Sequence, residues 1–297
     1  GGDIENTGVE VVLSWNDNIG DFKYGATVSG AFNKNEVTKI ANAEGIITGE
    51  PHILSQGTSY ISRVEVGKPI GYFYGLETDG ILQNQDEVDA YVTPDGTPYF
   101  DDQRPGDVRF VDQNQDGVID DNDKVELGSP LPDFELGIQL NAEYKGFYVN
   151  TTLAGKFGGQ VMQSYRSFAD NFDQNYTTDI FNRWHGEGTS NRLPRLSSSS
   201  NRNTNLISDI YLHDADYLRI SNLTVGFKLG QYLQDLDYIK DIKIYASVNN
   251  LYTFTSYDGM DPDVSYGGND DTGWASGVDL GLYPLPRTVM LGLSVDF

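Results

Sequence analysis

The chain has 297 residues, room for one large domain or two small ones, and carries 44 Asp and Glu against 20 Lys and Arg, a net charge of −24. So acidic a balance argues against a nucleic-acid partner, which needs a basic surface. Cysteine is absent, which excludes disulfides and thiolate metal sites, and no apolar run reaches the ~18 residues of a transmembrane helix.

With 19 Tyr, 14 Phe and 33 Gly against 3 Met, the composition leans to β structure. The chain opens at Gly1 with no signal peptide, and is expected to be mature, trimmed or a piece of something longer. Period-two alternation starts at 8–16 (GVEVVLSWN) and resumes at 22–33 (FKYGATVSGAFN), two strands joined through DNIGD. The region 34–133 then reads as one long connection, although short runs near 59–66 or 70–76 leave open a hidden strand there.

Inside that connection, VDQNQDGVIDDND (111–123) has the register of a twelve-residue calcium loop. Asp112, Asn114, Asp116, Asp120 and Asp123 offer side-chain oxygens, Val118 a backbone carbonyl, and Gly117 the sharp turn at the sixth place. Asp rather than Glu at the last place has a shorter reach, and a solvated Asp/Asn/Gly-rich turn is the other reading. No flanking helices or second loop accompany it, so a calcium-sensing switch is not expected. A bound Ca²⁺ would cross-link an acidic connection expected to lack a hydrophobic core.

Alternation is clearest at 134–144 (FELGIQLNAEY) and 147–157 (FYVNTTLAGKF), a hairpin turning at Lys145–Gly146. The second long connection, 158–215, holds NRWHGEGTSNRLPRLSSSSNRN (182–203), where Trp184, Arg192 and Arg195 are candidates for substrate contact by stacking or carboxylate pairing. A plain surface loop is the competing reading. Strands follow at 217–229, with a phase slip near Asn222, and at 241–254. After a third long connection, 255–286, the chain ends on RTVMLGLSVDF (287–297). Tyr252, Phe254, Tyr257 and Tyr266 are either a contact patch or an aromatic girdle.

A β-sandwich also alternates, so further features must separate it from a membrane barrel. Eleven residues at ~3.3 Å, tilted ~40°, span roughly 25 Å, the apolar height of an outer-membrane barrel. Connections alternate short and long, and Trp15, Phe22, Tyr24, Tyr144, Phe147, Phe227 and Phe297 cluster towards the short turns. Polar residues including Glu10, Ser14, Lys23, Thr27, Glu135, Gln139, Asn141, Glu143, Asn150 and Lys156 share the opposite face, suited to a wide, wet or plugged lumen. Seven spanning strands is odd, whereas a closed bacterial barrel has an even number, so the chain is expected to be the C-terminal part of a larger one.

The stretches GKPIGYFYGLETDGILQNQDEVDAY (67–91), RPGDVRFVDQNQDGVIDDNDKVELGSPLPDFELGIQLNAEYKGF (104–147), DADYLRISNLTVGFKL (214–229), VNNLYTFTSYDGMDPDVS (248–265) and YPLPRTVMLGLSVDF (283–297) resemble, in order and spacing, the C-terminal part of SusC/RagA-type TonB-dependent outer-membrane transporters of Bacteroidetes. The resemblance implies an all-β, antiparallel transmembrane barrel segment, about seven of some 22 strands, with long extracellular loops including 34–133. It implies import of glycans or peptides, a SusD-like surface lipoprotein as partner, contact with outer-membrane lipid, and coupling to the TonB complex through segments not in this sequence. The ending with Val289, Leu291, Leu293, Val295 and Phe297 resembles a barrel-assembly signal. An ordinary metal-chelate receptor would lack the lipoprotein. A soluble, secreted, calcium-stapled β protein binding carbohydrate or surfaces is the alternative from a different class. No enzyme is expected: His52, His185 and His213 are scattered, and no GxSxG, Walker or GxGxxG stretch occurs.

Overall fold

A computed structural model of the chain describes residues 2–49, 60–164, 178–197, 202–232, 238–263 and 276–296. His52, Tyr266 and Phe297 lie outside them. The first strands are β1 (Gly2–Ile19) and β2 (Phe22–Ile40); the first long connection then carries β3 (Ile46–Thr48), β4 (Ser62–Glu65), β5 (Tyr72–Leu76), β6 (Thr78–Ile81), helix α1 (Gln85–Ala90), β7 (Val108–Phe110) and β8 (Lys124–Gly128). Next come β9 (Phe134–Tyr144) and β10 (Phe147–Phe157), then β11 (Gln160–Gln163) and β12 (Leu212–Asp214) in the second connection. The chain finishes with β13 (Tyr217–Lys228), β14 (Asp241–Thr255), β15 (Val278–Asp279) and β16 (Thr288–Asp296). Among the described residues no helix is long and apolar enough to cross a membrane, which says nothing of strands.

Seven long strands form one antiparallel sheet in the order β1-β2-β9-β10-β13-β14-β16. Every sequence-predicted strand is in it. Register keeps the two faces distinct across the whole width. On one face Leu13 meets Val28, Val28 meets Ile138, Ile138 meets Leu153 and Leu153 meets Ile220. The expected phase slip is real: pairing shifts between Ile220 and Asn222, opposite Asn250, whose φ of 52 lets β14 bulge at the same level. A bulge there restores the phase of Leu223, Val225 and Phe227, because one extra residue exchanges the faces of everything after it.

The apolar face is open to the surroundings, with Leu291 86% and Leu13 68% exposed. Aromatic rows border it at both ends. Phe22 stacks on Tyr24 near the short turns, at 5.6 Å between centroids, while Phe32, Phe134 and Phe157 stack in sequence at 4.4 and 6.0 Å at the other end. Tyr252 and Phe254, half exposed and edge to face, continue the second row in register with Ile220 and Leu218. The pair belongs to a girdle, the second of the two readings the sequence offered for it, and Phe32, Phe134 and Phe157 extend that row beyond what the sequence indicated.

Three expectations need correction. β1 and β2 run well past 8–16 and 22–33, held by cross-strand pairing from Gly2↔Ile40 onwards. Among the described residues no eighth strand joins the large sheet from the first connection: β4 and β5, near 59–66 and 70–76, belong to a small sheet of order β3-β4-β5-β8. Nor does that connection lack a hydrophobic core. Ile61, Phe73, Leu76, Ile81, Val108 and Phe110 from it, Met162, Ile207, Ile210 and Tyr211 from the second connection, and Val278 from the third are all buried together. The three long connections therefore share one core, and parallel pairing of β11 with β15 ties the second to the third. Burial of each large side chain contributes roughly 1.5–3 kcal/mol, which offsets the ordering entropy such long excursions would otherwise oppose.

Candidate functional site

The polar face of the large sheet is a hydrogen-bonded wall. At mid-height it is uncharged: Asn222 donates to Ser247 at 3.0 Å and Asn249 at 2.8 Å, and the Ser14 and Thr27 hydroxyls lie 3.0 Å apart. Towards the short turns the charges are paired, Lys228 with Glu143 at 2.5 Å and Lys243 with Asp296 at 2.9 Å. Two tyrosines lie flat along the wall against glycines: a Cβ at Gly226 would sit 2.5 Å from the Tyr148 ring, and one at Gly292 2.1 Å from Tyr245. A wall so furnished suits water or polar solute and cannot face hydrocarbon.

Above this wall the long connections enclose a cleft of about 680 Å³, lined among others by Thr78, Asn191, Arg192, Asp209, His213 and Tyr257. Asn191 accepts from Ile81 N at 3.1 Å, and the Thr78 hydroxyl donates to Asp209 at 2.6 Å. Burial holds the Asp209 carboxyl above its ordinary range, opposed by its two bonds from Thr78. Arg192 Nη2 donates to the Leu212 carbonyl at 3.1 Å and lies 3.2 Å from His213, whose ring packs edge-on to Tyr257. Tyr257 is buried and donates to Asp279 at 2.6 Å, so it is no surface patch.

Of the three residues proposed from sequence for substrate contact, only Arg192 opens on this cleft. Trp184 packs against the shared core, with Gly106 beneath its ring, and Arg195 Nε donates to Asp107 at 2.7 Å. Asp107 is 1% exposed and also accepts from Arg202 at 2.7 Å, Asn203 at 2.9 Å and Arg104 N at 3.1 Å. It clamps the first connection to the second.

The acidic loop turns at Gly117, its sixth place. Gly117 takes φ 86 and donates to Asp112 at 2.9 Å; Val118 N donates to Asp116 at 2.9 Å. Burial opposes the Asp112 charge, but bonds from Gly117 N and the Tyr99 hydroxyl outweigh it and hold this carboxyl low, while Tyr99 is pushed up to about 12, chiefly by burial. Asp123 is fully buried and caps the backbone, accepting from Gln113 N at 2.9 Å and Asp120 N at 2.8 Å. Asp120 accepts from Asn122 N at 2.7 Å. Asp112 Oδ1 is buried with no hydrogen-bond partner. Among the described residues no three carboxylates or histidines converge as a metal cage.

At the chain's end, Val289, Leu291 and Leu293 are exposed on the apolar face, and Val295 pairs with Ile242 on the same face.

The whole chain aligns with TonB-dependent receptor P3 of Formosa agariphila, 30% identical over 301 residues, covering 29% of that protein. It aligns equally completely with TonB-dependent receptor SusC of Bacteroides thetaiotaomicron, at 26% identity and 27% of its length. Its fold is that of part of the solved RagAB peptide transporter, with a TM-score of 0.72 at 21% identity, covering 100% of this chain and 30% of the other. The chain belongs with the SusC/RagA-type TonB-dependent receptors. It spans under a third of the length of the relatives it matches, and no protein-family model matches it. The two-faced sheet is thus a segment of a SusC/RagA-type barrel, and the shared-core assembly is what the long connections of this receptor segment build.

Proposed function

We propose that this segment forms the C-terminal barrel wall and much of the extracellular roof of an outer-membrane active importer of the SusC type, taking up glycans or peptides. The single observation that carries the reading is the sheet itself: an open apolar face bordered by aromatic rows at both ends, backed by a hydrogen-bonded polar face. That pattern matches a band of hydrocarbon between two interfaces on one side and an aqueous lumen on the other. A soluble secreted β protein is disfavoured by the same face, since water would meet residues such as Leu291, at 86% exposure.

On this reading the short turns are periplasmic and the long connections extracellular. A SusD-like lipoprotein would cover the roof, the cleft at Arg192 would meet substrate, and TonB would act through parts of the receptor beyond this segment. RagAB is a peptide transporter by its description, which supports a solute of that kind without selecting it over a glycan. Transport requires no chemistry on the solute, so no residue is assigned a catalytic role. Val289, Leu291, Leu293 and Val295 would be read by the assembly machinery together with Phe297. At 112–123 we propose a hard cation held by Asp112, Asn114, Asp116, the Val118 carbonyl, Asp120 and Asp123. The partnerless Asp112 Oδ1 supports it, and the commitment of Asp123 to backbone N–H groups opposes closure at the twelfth place.

The test is extraction of the intact receptor from its own outer membrane. Heat-modifiable gel migration, dependence on detergent and a co-purifying lipoprotein in native mass spectrometry are the expected results. A detergent-independent monomer of 32.9 kDa would overturn the reading.

A further inference from the structure

The polar wall carries two cations near its long-connection end, Lys156 on β10 and Arg219 on β13, and both point at the same short stretch of the third connection. Arg219, 5% exposed, donates Nη2 to Asp261 at 2.5 Å and Nε to Thr253 at 2.9 Å, while its Nη1 lies 3.9 Å from Asp263. Lys156 Nζ meets Asp263 at 3.0 Å. The two carboxylates are tied to one another through Asp263 N, which donates to Asp261 at 3.0 Å. The remaining oxygen of Asp261 accepts from Leu285 N at 3.4 Å, so the same residue draws in the chain just before β16. Between these aspartates Pro262 fixes the backbone, and it lines, with Lys156, Glu135 and Tyr217, a cavity of about 300 Å³ against the wall.

We infer that 256–263 is an ionic strap, pinned across the inner wall by Arg219 and Lys156, and that a carboxylate-bearing solute in the lumen competes with Asp261 and Asp263 for those two cations. The local charges are these two cations against Asp261, Asp263 and Glu135, which sits opposite Lys156 in the β9–β10 register. With one carboxylate in excess, a released strap is not pulled back by a surplus of positive charge. Arg219 is the hub because it is desolvated and donates to both Asp261 and Thr253, so losing it leaves the mostly buried Asp261 carboxylate without its cation. The Lys156–Asp263 pair is half exposed and contributes less. A cis carboxylate holding a site that a trans carboxylate can claim makes strap opening depend on solute.

The inference rests on the polar face being the lumen wall. Its test uses the intact receptor in detergent, with any cysteine outside this segment replaced, and a nitroxide at M260C, an exposed position within the strap in a segment that has no cysteine of its own. R219Q is expected to raise the opening equilibrium at least about a hundredfold, seen as conversion to the mobile spectral component. D261N should do the same and the double variant no more. K156Q, which leaves the buried hub intact and so folds, should raise it about two- to fivefold. Succinate should mobilise the parent spectrum and its diamide should not. An immobile spectrum in both R219Q and K156Q, or equal effects of succinate and diamide, would overturn the inference. Heat-modifiable migration of the same samples is read separately, so failure of the barrel reading is distinguishable from failure of the strap.

Discussion

Replacing Asp107 with Asn tests whether the 182–203 stretch is structural or substrate-facing. The carboxylate is 1% exposed and serves four donors, two of them guanidinium groups whose side chains are only 20% and 14% exposed. Asn keeps the shape and one acceptor oxygen but removes the charge, and turns an NH₂ towards one arginine. Arg195, poorly hydrated, would then have no carboxylate, and Arg202 would keep only the exposed Asp102. Removing one partner of a buried ion pair costs about 3–5 kcal/mol, because the other charge is left uncompensated. That is a large part of the stability of an ordinary domain, about 5–15 kcal/mol. The loss should fall on the loop assembly rather than on the seven-stranded sheet, which contains none of the partners. Limited proteolysis of detergent-extracted D107N should therefore cut within the second connection while the barrel band survives. R195Q should be less severe, and the D107N/R195Q double variant no worse than D107N alone. Protection equal to the parent, or additive effects of the pair, would refute the clamp and return Arg195 to the solute.

Leu140, midway along β9 on the apolar face, should not tolerate Arg: about 2–4 kcal/mol is expected for a cation at the bilayer midplane, whereas Q139R, one residue along on the wall, should fold with near-parent yield of the heat-modifiable form. For the acidic loop, millimolar Ca²⁺ should raise the thermal midpoint of the parent and not of D112N/D116N; a chelator-independent midpoint in both would refute the cation. Asp209 has a raised carboxyl pKa from burial. Its contribution to stability is thus fully present below the unfolded value of about 3.9 and lost as pH rises through the folded one. The parent-minus-D209N difference in thermal midpoint should accordingly fall as pH is raised from about 3.9, and a flat difference would contradict it.

How far the fold could be read varies with how local its cause is. Seven strands were legible because period-two alternation is written in consecutive residues, and even the bulge left its mark as a slip near Asn222. The far ends of β1 and β2 were not, because Lys34, Asn35, Glu36 and Lys39 break the alternation and are strand only through pairing with Asn6 to Gly2 and their neighbours. The shared core was invisible for a related reason. Its members arrive in runs of a few residues, from Ile61 to Val278, and no window of the sequence contains enough of them to show a period. The second aromatic row was legible in part, through Tyr252 and Phe254, and its continuation is written in β9 and β10, each of which carries an aromatic at both ends.

Arginine explains why the contact residues were the least legible. In a chain with 44 acidic and 20 basic residues, every guanidinium is surrounded by carboxylates, and whether it meets one of them or a solute depends on partners far along the chain. Arg195 finds Asp107, 88 residues away, and Arg202 finds the same carboxylate as well as Asp102. Arg109 spans Asp79 and Glu87, and Arg219 holds Asp261. Those at Asp107 and Asp261 satisfy carboxylates that burial would otherwise penalise, which is the use expected of scarce cations in a strongly acidic fold. Arg192 differs in kind: its hydrogen bonds go to a carbonyl and an imidazole, on the rim of a cleft that also exposes it. A guanidinium with no direct ion pair to a carboxylate keeps donors for a solute, and that, rather than its place in an aromatic- and arginine-rich stretch, is the physical reason to look for solute there.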